Sequence, residues 1–283
     1  MREDRPTMPH AQDANELRRI ACALAQLGHD TARQFFGAAT VTRKDDDTPV
    51  TQADHAAQAA ILDKLAVQFP DHAVLTEENL VQPERHAAIG SAALCWVVDP
   101  LDGTRNFARG VGIYAVSVAV MDDSGPLAGA VFDATTGRVY SAARGQGAFV
   151  DEHPLVMQNR PVDSDTTVML SSFRRRAIPA AVRAWMDEYL YRNQGSLCLH
   201  LAWVAAGLAD AAYALECKLW DIAAAVLIIQ ESGGVATDHA GGSLWPIVLA
   251  SYRDQDIPIL VGTPTMHARL LKSLMDGAGD SCP

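Results

Sequence analysis

The sequence predicts a two-part α/β protein, an α+β half followed by an α/β half. Three observations predict it: two stretches of helical periodicity before residue 70, then short apolar segments separated by Gly, Pro and Asp turns, then strand and helix patterns alternating beyond Asp163. From Asn15 to about Phe36, Leu17, Ile20, Leu24 and Leu27 recur at helical spacing, and a second helical pattern runs from Ala53 to Phe69, where Pro70 stops it. HAVLTEE and LCWVVDP read as short strands. YAVSVAVM, LAGAVFDATT and RVYSAARG read as further strands joined by turns, the pattern of an antiparallel sheet. TVMLSS, PAAVRAWMDEYLYR, LHLAWVAAG, ADAAYAL, WDIAAAVLIIQESGG, IPILVG and PTMHARLLKSLM carry the alternation onward. Polar residues and prolines in HPLVMQNRPVDSD interrupt the periodicity, so the expected division is a flexible tail over 1–14, an N-terminal half over 15–160 and a C-terminal half over 161–283.

The 283 residues are 49% hydrophobic and 20% charged, an ordinary globular balance. Lys and Arg number 23 against 34 Asp and Glu, a formal net charge of −11 that repels polyanions and argues against a general nucleic-acid binder. The five cysteines are scattered without a C-x-x-C pair, which points away from a disulfide framework or a thiolate zinc site and towards a reducing cytoplasm. MREDRPTMPHAQDANEL lacks the apolar core of a secretory signal, and HLAWVAAGLADAAYAL, broken by Gly207 and Asp210, falls short of the roughly 18 apolar residues of a membrane span. The expectation is a soluble cytoplasmic protein with neither a membrane nor a nucleic-acid partner.

The chemistry concentrates in WVVDPLDGTRNF, residues 96–107. Asp99 follows an apolar run and sits where a strand leaves its sheet, while Asp102-Gly103-Thr104 has the character of a turn leading into a helix, so both carboxylates can face one cavity. Other acids recur in similar places: Asp54 at the start of the second helix, Glu77 and Glu78 after the run Ala73 to Leu75, and Asp221 at the head of an apolar helix ended by Gly233-Gly234. Each alone has a plain structural explanation, as a surface turn, a helix cap or a solvated charge pair. Together, Glu77, Asp99, Asp102 and Asp221 would repel one another without cations. Hard divalent ions such as Mg²⁺ take oxygen ligands and leave positions for water and phosphate, and two such ions can activate water and stabilise a leaving oxygen. Gly103 then permits close backbone approach, and the amides at the helix start can receive phosphate oxygens.

VTQAD (50–54), EE (77–78), WVVDPLDGTRNF (96–107) and WDIAAAVLIIQESGG (220–234) resemble, in order and approximate spacing, the segments of the inositol monophosphatase family, a Mg²⁺-dependent, lithium-sensitive phosphatase superfamily. The similarity covers about residues 15–275. It implies a layered αβαβα sandwich of the sugar phosphatase type, with the site between the two halves. By the same resemblance Glu77, Asp99 and the Leu101 carbonyl bind a first Mg²⁺; Asp99, Asp102 and Asp221 bind a second, in a site of two or three ions. Glu77 and Thr104 orient the attacking water with Asp54 supporting Thr104, and Asp102, Gly103 and Thr104 face the substrate, the last two through their amides. Lys44 matches a lysine near the metals, although a solvated lysine beside Asp45 to Asp47 explains it equally well. Arg174 to Arg176 read as a solvated charge run, or as a site beside an anionic substrate.

The chain departs from the family pattern at Thr76 and Ala225, where relatives often have glycine, and at Ala214, where inositol-directed members often carry glutamate; the nearest acid, Glu216, is displaced by two positions. The resemblance implies a homodimeric phosphomonoesterase for a small soluble phosphate ester, nominally inositol 1-phosphate. Fructose 1,6-bisphosphate, histidinol phosphate and 3′-phosphoadenosine 5′-phosphate are alternative substrates on the same scaffold. A regulatory interaction protein using that scaffold is the alternative of a different class.

Overall fold

The computed structural model describes residues 13–43, 48–79, 93–173 and 177–278. Helix α1 (Ala14–Ala32) is capped by Asp13, whose side chain accepts from the Asn15 amide. Helix α2 (Gln52–Gln68) is opened by reciprocal pairing of Thr51 and Asp54 and ends before Phe69-Pro70, as the proline dictates. Between them β1 (Val41–Arg43) and β2 (Pro49–Thr51) form a short antiparallel pair.

Seven strands then follow one another across a sheet in chain order: β3 (Ala73–Thr76), β4 (Cys95–Asp102), β5 (Ala115–Asp122), β6 (Gly125–Asp133), β7 (Arg138–Ala143), β8 (Gly147–Val150) and β9 (His153–Leu155). A second sheet has the order β11-β10-β12-β14-β13, built from β10 (Thr167–Leu170), β11 (Leu190–Arg192), β12 (Ala211–Ala214), β13 (Val235–Asp238) and β14 (Ile259–Gly262). Among the described residues the remaining helices are the single turn α3 (Thr104–Phe107), α4 (Ala180–Glu188), α5 (Leu197–Ala205), α6 (Leu219–Ser232) and α7 (Pro264–Ala278).

Strand alternation sorts these elements into layers. Trp96 and Val98 of β4 and Val116, Val118 and Val120 of β5 pack with Leu17 and Leu24 of α1 and Ile61 and Leu65 of α2. Cys95 and Val97, on the opposite face, pack with α5 and α6, which also receive Met169, Ala212, Ala214, Ile259 and Val261 from the second sheet. The outer face of that sheet, with Val168, Leu170, Tyr213 and Leu260, is covered by Val182 and Trp185 of α4 and Met266 and Leu270 of α7. The result is the layered αβαβα sandwich. Helix α6 occupies its central layer, which explains why WDIAAAVLIIQESGG is apolar all round rather than on one stripe.

Three features differ from the sequence reading. The β3–β4 pair is parallel, Ala73 opposite Cys95, whereas the pattern suggested an antiparallel sheet throughout; the intervening residues are long enough for the crossover that parallel pairing needs. PAAVRAWMDEYLYR is not one helix, because α4 stops at Glu188 and Leu190–Arg192 forms an edge strand parallel to β10. The short strands β8, β9 and β13 were not singled out.

Close approach between α6 and the larger sheet is supplied by the strand. A Cβ added at Gly129 would lie 2.9 Å from both the Cα and the Cβ of Ala224. Ala225, the next residue of α6, is fully buried as well. Gly129→Ala is therefore expected to destabilise the fold by about 1–3 kcal/mol through overpacking. Urea unfolding measures this, and an unchanged midpoint would show that the helix has room to retreat.

Candidate metal centre

In a regular strand residues three apart point to opposite faces, so Asp99 and Asp102 of β4 could not share a cavity. The β4–β5 register shifts between these two residues, and the bulge turns both carboxylates to one side. Asp99 Oδ1 accepts the Leu101 amide at 3.0 Å. Asp102 Oδ2 accepts the Ser196 hydroxyl and the Cys198 amide, each at 2.6 Å. The third acid, Asp221, lies in the first turn of α6, where its Oδ2 accepts the Lys218 amide at 2.7 Å. The helix start is itself tied to the sheet by Ser117, whose hydroxyl donates to the Trp220 carbonyl at 3.2 Å.

One oxygen from each of Asp99, Asp102 and Asp221 lies within 4.8 Å of the other two. Burial pushes all three carboxyls up from the ordinary range; the charges of Glu77, Asp102 and Asp221 push Asp99 further, and that of Asp102 pushes Asp221 further. Glu77 stands outside the trio, in the short turn Glu77–Asn79 that ends β3, but its charge is felt by Asp99 and Asp221. The donor set of the trio is oxygen alone, without imidazole or thiolate, and its self-repulsion is relieved by positive charge. That chemistry fits a hard divalent cation rather than zinc.

Beside the trio, Gly103 has φ +99°, and a Cβ there would come within 2.9 Å of the Ile113 carbonyl oxygen, so both conformation and space demand glycine. Thr104 follows. Its Oγ1 lies 3.0 Å from Asp54 Oδ1 and 3.0 Å from the Leu101 carbonyl. Asp54 Oδ2 meanwhile accepts the Thr51 amide at 2.8 Å and the Thr51 hydroxyl at 2.6 Å. The cap and the contact with Thr104 thus use different oxygens of one carboxylate.

Some residues of the site were not singled out from sequence. Asn106 Nδ2 donates to the Ile113 carbonyl at 2.8 Å and to the Gln194 carbonyl at 2.7 Å, joining the strand exit to the loop before α5. Ser196 holds Asp102 from a position 94 residues away. Ala214 sits on the inward face of β12, fully buried among the apolar side chains of the central layer, and Thr76 is buried at the end of β3. Lys44 and Arg174 to Arg176 lie outside the described residues.

Comparison with known proteins shows the family and the fold. The inositol monophosphatase family profile matches residues 13–276, and the chain belongs to that family. The Nus factor SuhB of Pasteurella multocida is 34% identical over 209 residues, 71% of this chain and 76% of that protein. The structure of the extragenic suppressor protein SuhB from Bartonella henselae superposes with a TM-score of 0.76 at 26% identity, covering 93% of this chain and 98% of the other. An IMPase/NADP phosphatase complexed with Mg²⁺ and phosphate shares the fold, with a TM-score of 0.77 at 22% identity over 93% of this chain and 96% of its own.

The repulsion within the trio has a measurable sign. Asp99 is held above the ordinary carboxylate range in the folded state, so the metal-free fold loses stability as pH rises from about 4 towards neutrality, where the charge must be carried. Asp99→Asn removes that charge and retains an oxygen for the Leu101 amide. In chelator near pH 7 the variant is expected to melt above the wild type by about 2–6 °C, with the gap closing towards pH 4. Calorimetry across this range decides it; a variant less stable than wild type throughout would show that repulsion is not what the trio stores.

Proposed function

We propose, on the premise of that family membership, that this protein is a Mg²⁺-dependent phosphomonoesterase acting on a small soluble phosphate ester by direct attack of water. The observation that carries this reading is the trio of carboxylates, Asp99 buried and Asp102 and Asp221 half-buried, standing next to the Thr104–Asp54 pair. Asp99, Asp102 and Asp221, with Glu77 and the Leu101 carbonyl, would hold two or three ions. Bound divalent cations supply charge stabilisation at the phosphoryl oxygens and lower the pKa of a bound water.

The chain's own groups do the rest by orientation. Thr104 has one hydroxyl hydrogen and two acceptors in reach; once the Leu101 carbonyl is engaged elsewhere, that hydrogen goes to Asp54, and a lone pair of Oγ1 is left to accept from water. Glu77 would be the second group to accept from the same water. The amides of Gly103 and Thr104 lead a helical turn without intrahelical acceptors, where phosphate oxygens can be received, and Asp102 borders them. As the water oxygen bonds to phosphorus, the bond from phosphorus to the ester oxygen breaks and the alcohol leaves with a proton. No phosphoenzyme is formed.

Inositol 1-phosphate is the nominal substrate, with fructose 1,6-bisphosphate, histidinol phosphate and 3′-phosphoadenosine 5′-phosphate as the alternatives. Ala214 offers no acceptor to a cyclitol hydroxyl where inositol-directed relatives carry glutamate. A homodimer and a cytoplasmic location belong to the same reading. Among the described residues no helix is long and apolar enough to cross a membrane. A second reading, a regulatory interaction protein on the same scaffold, is favoured by the name Nus factor borne by the SuhB relatives.

Phosphate release with and without Mg²⁺ separates the two readings. Asp99→Asn is expected to lower Mg²⁺-dependent turnover by at least about 100-fold, beyond the 10- to 100-fold typical of residues that only support a ligand. Near-normal turnover of this variant at saturating Mg²⁺ would remove Asp99 from the metal centre.

Across a substrate panel, inositol 1-phosphate is expected to lack the preference that one hydroxyl hydrogen bond confers, about two- to tenfold in kcat/KM over glycerol phosphate. A strong native preference for inositol 1-phosphate would mean that another residue reads the ring.

A further inference from the structure

We propose that His200 is a positioning residue for this centre: it fixes the loop Asn193–Ser196, and that loop holds Asp102 in place. The inference rests on the phosphatase reading above and concerns a residue that none of the family motifs includes.

His200 lies on α5 and is 1% exposed. Its Nε2 accepts the Gln194 amide at 2.9 Å, so in the neutral ring the proton must sit on Nδ1. Burial lowers the pKa of this imidazole to about 4, which keeps it neutral at physiological pH. Nδ1 meets no partner among the described residues. A buried N–H without an acceptor is a standing penalty, and leucine would fill the same apolar helix face without it. The histidine is therefore explained by its other nitrogen, the one that holds the loop.

What the loop does is visible at its two ends. Gln194 is gripped at both backbone groups, its N–H by His200 and its carbonyl by Asn106. Gly195, at φ +77°, lets Asn106 approach; a Cβ there would lie 3.0 Å from Asn106 Nδ2. Next comes Ser196, whose hydroxyl hydrogen goes to Asp102 Oδ2 and whose oxygen caps α5 at the Leu199 amide. Releasing Gln194 frees the segment that delivers Ser196, and Asp102 then loses its hydroxyl partner while the Cys198 amide stays.

The test compares His200→Leu, which removes the acceptor, with His200→Gln, whose Oε1 can take the place of Nε2. Four readouts are taken: thermal melting, Mg²⁺ affinity by titration calorimetry, amide hydrogen exchange over 193–196, and kcat and KM with inositol 1-phosphate. His200→Leu is expected to melt at or above the wild-type temperature, to exchange faster in the loop, and to lose about 3- to 10-fold in Mg²⁺ affinity and kcat with little change in KM, the lower end of what second-layer groups contribute. His200→Gln is expected to recover most of the loss. Wild-type Mg²⁺ affinity and loop exchange in His200→Leu would overturn the proposal, as would a loss that tracks melting temperature and is not rescued by glutamine. If His200→Leu does not fold, His200→Asn, too short to reach the Gln194 amide, takes its place against glutamine under the same criteria. If the wild type itself releases no phosphate, the phosphatase reading fails, and the proposal is decided by calorimetry and exchange alone.

Discussion

The structure is organised around keeping like charges together. Asp99, Asp102 and Asp221 are drawn within 4.8 Å of one another in a setting where burial already disfavours each charge. Their mutual charges repel and do not hold them there. What does is a backbone amide bonded to one oxygen of each, from Leu101, Cys198 and Lys218. A carboxylate anchored through one oxygen has its direction fixed and its second oxygen left for the cavity. The amide bonds favour the ionised form, burial and repulsion oppose it, and the balance remains on the raised side, which is the state a divalent cation relieves.

The anchors come from three segments, and their relative placement is the task of the layers. The bulge at the end of β4 brings Asp99 and Asp102 to one side. The start of α6, whose dipole presents its positive end, brings Asp221. That helix is packed against both sheets, at a distance set by Gly129 against Ala224 on one side and by the inward faces of β12 and β14 on the other. A small displacement of α6 would move Asp221 relative to the other two acids, so the packing of the central layer and the geometry of the site are one constraint.

Much of this was readable from residue types because the determinants are local. Strand alternation, Pro70 after α2, Gly103 at the turn and an Asp at a helix start each encode their conformation within a few residues. Asp54 and Thr104 were linked through the family resemblance, and the geometry supplies the bond. The contributions of Ser196, Asn106 and His200 were not readable. A serine before a helix is explained by capping, and Ser196 does cap α5; nothing nearby signals that its hydrogen goes to a carboxylate 94 positions earlier. The edge strand Leu190–Arg192 was hidden for a related reason: Leu190, Tyr191 and Arg192 continue a helical pattern well enough, and only pairing with β10 makes them a strand.

Asp54 shows how tightly stability and chemistry are joined here. The residue is fully buried, and the Thr51 amide, the Thr51 hydroxyl and the Thr104 hydroxyl all have hydrogens to give it. The ionised carboxylate accepts all of them; a proton on Oδ1 would leave Thr104 to donate to the Leu101 carbonyl instead. Burial pushes the pKa of Asp54 up, while these bonds pull it down. The cap of α2 therefore does more than begin a helix. By satisfying Oδ2, Thr51 helps keep Asp54 charged, and the charge on Oδ1 is what draws the Thr104 hydrogen away from the face where water would bind. The sequence Thr51-Gln52-Ala53-Asp54 serves the fold and the site through the same two side chains, because a buried carboxylate has two oxygens and the structure uses each for a different end.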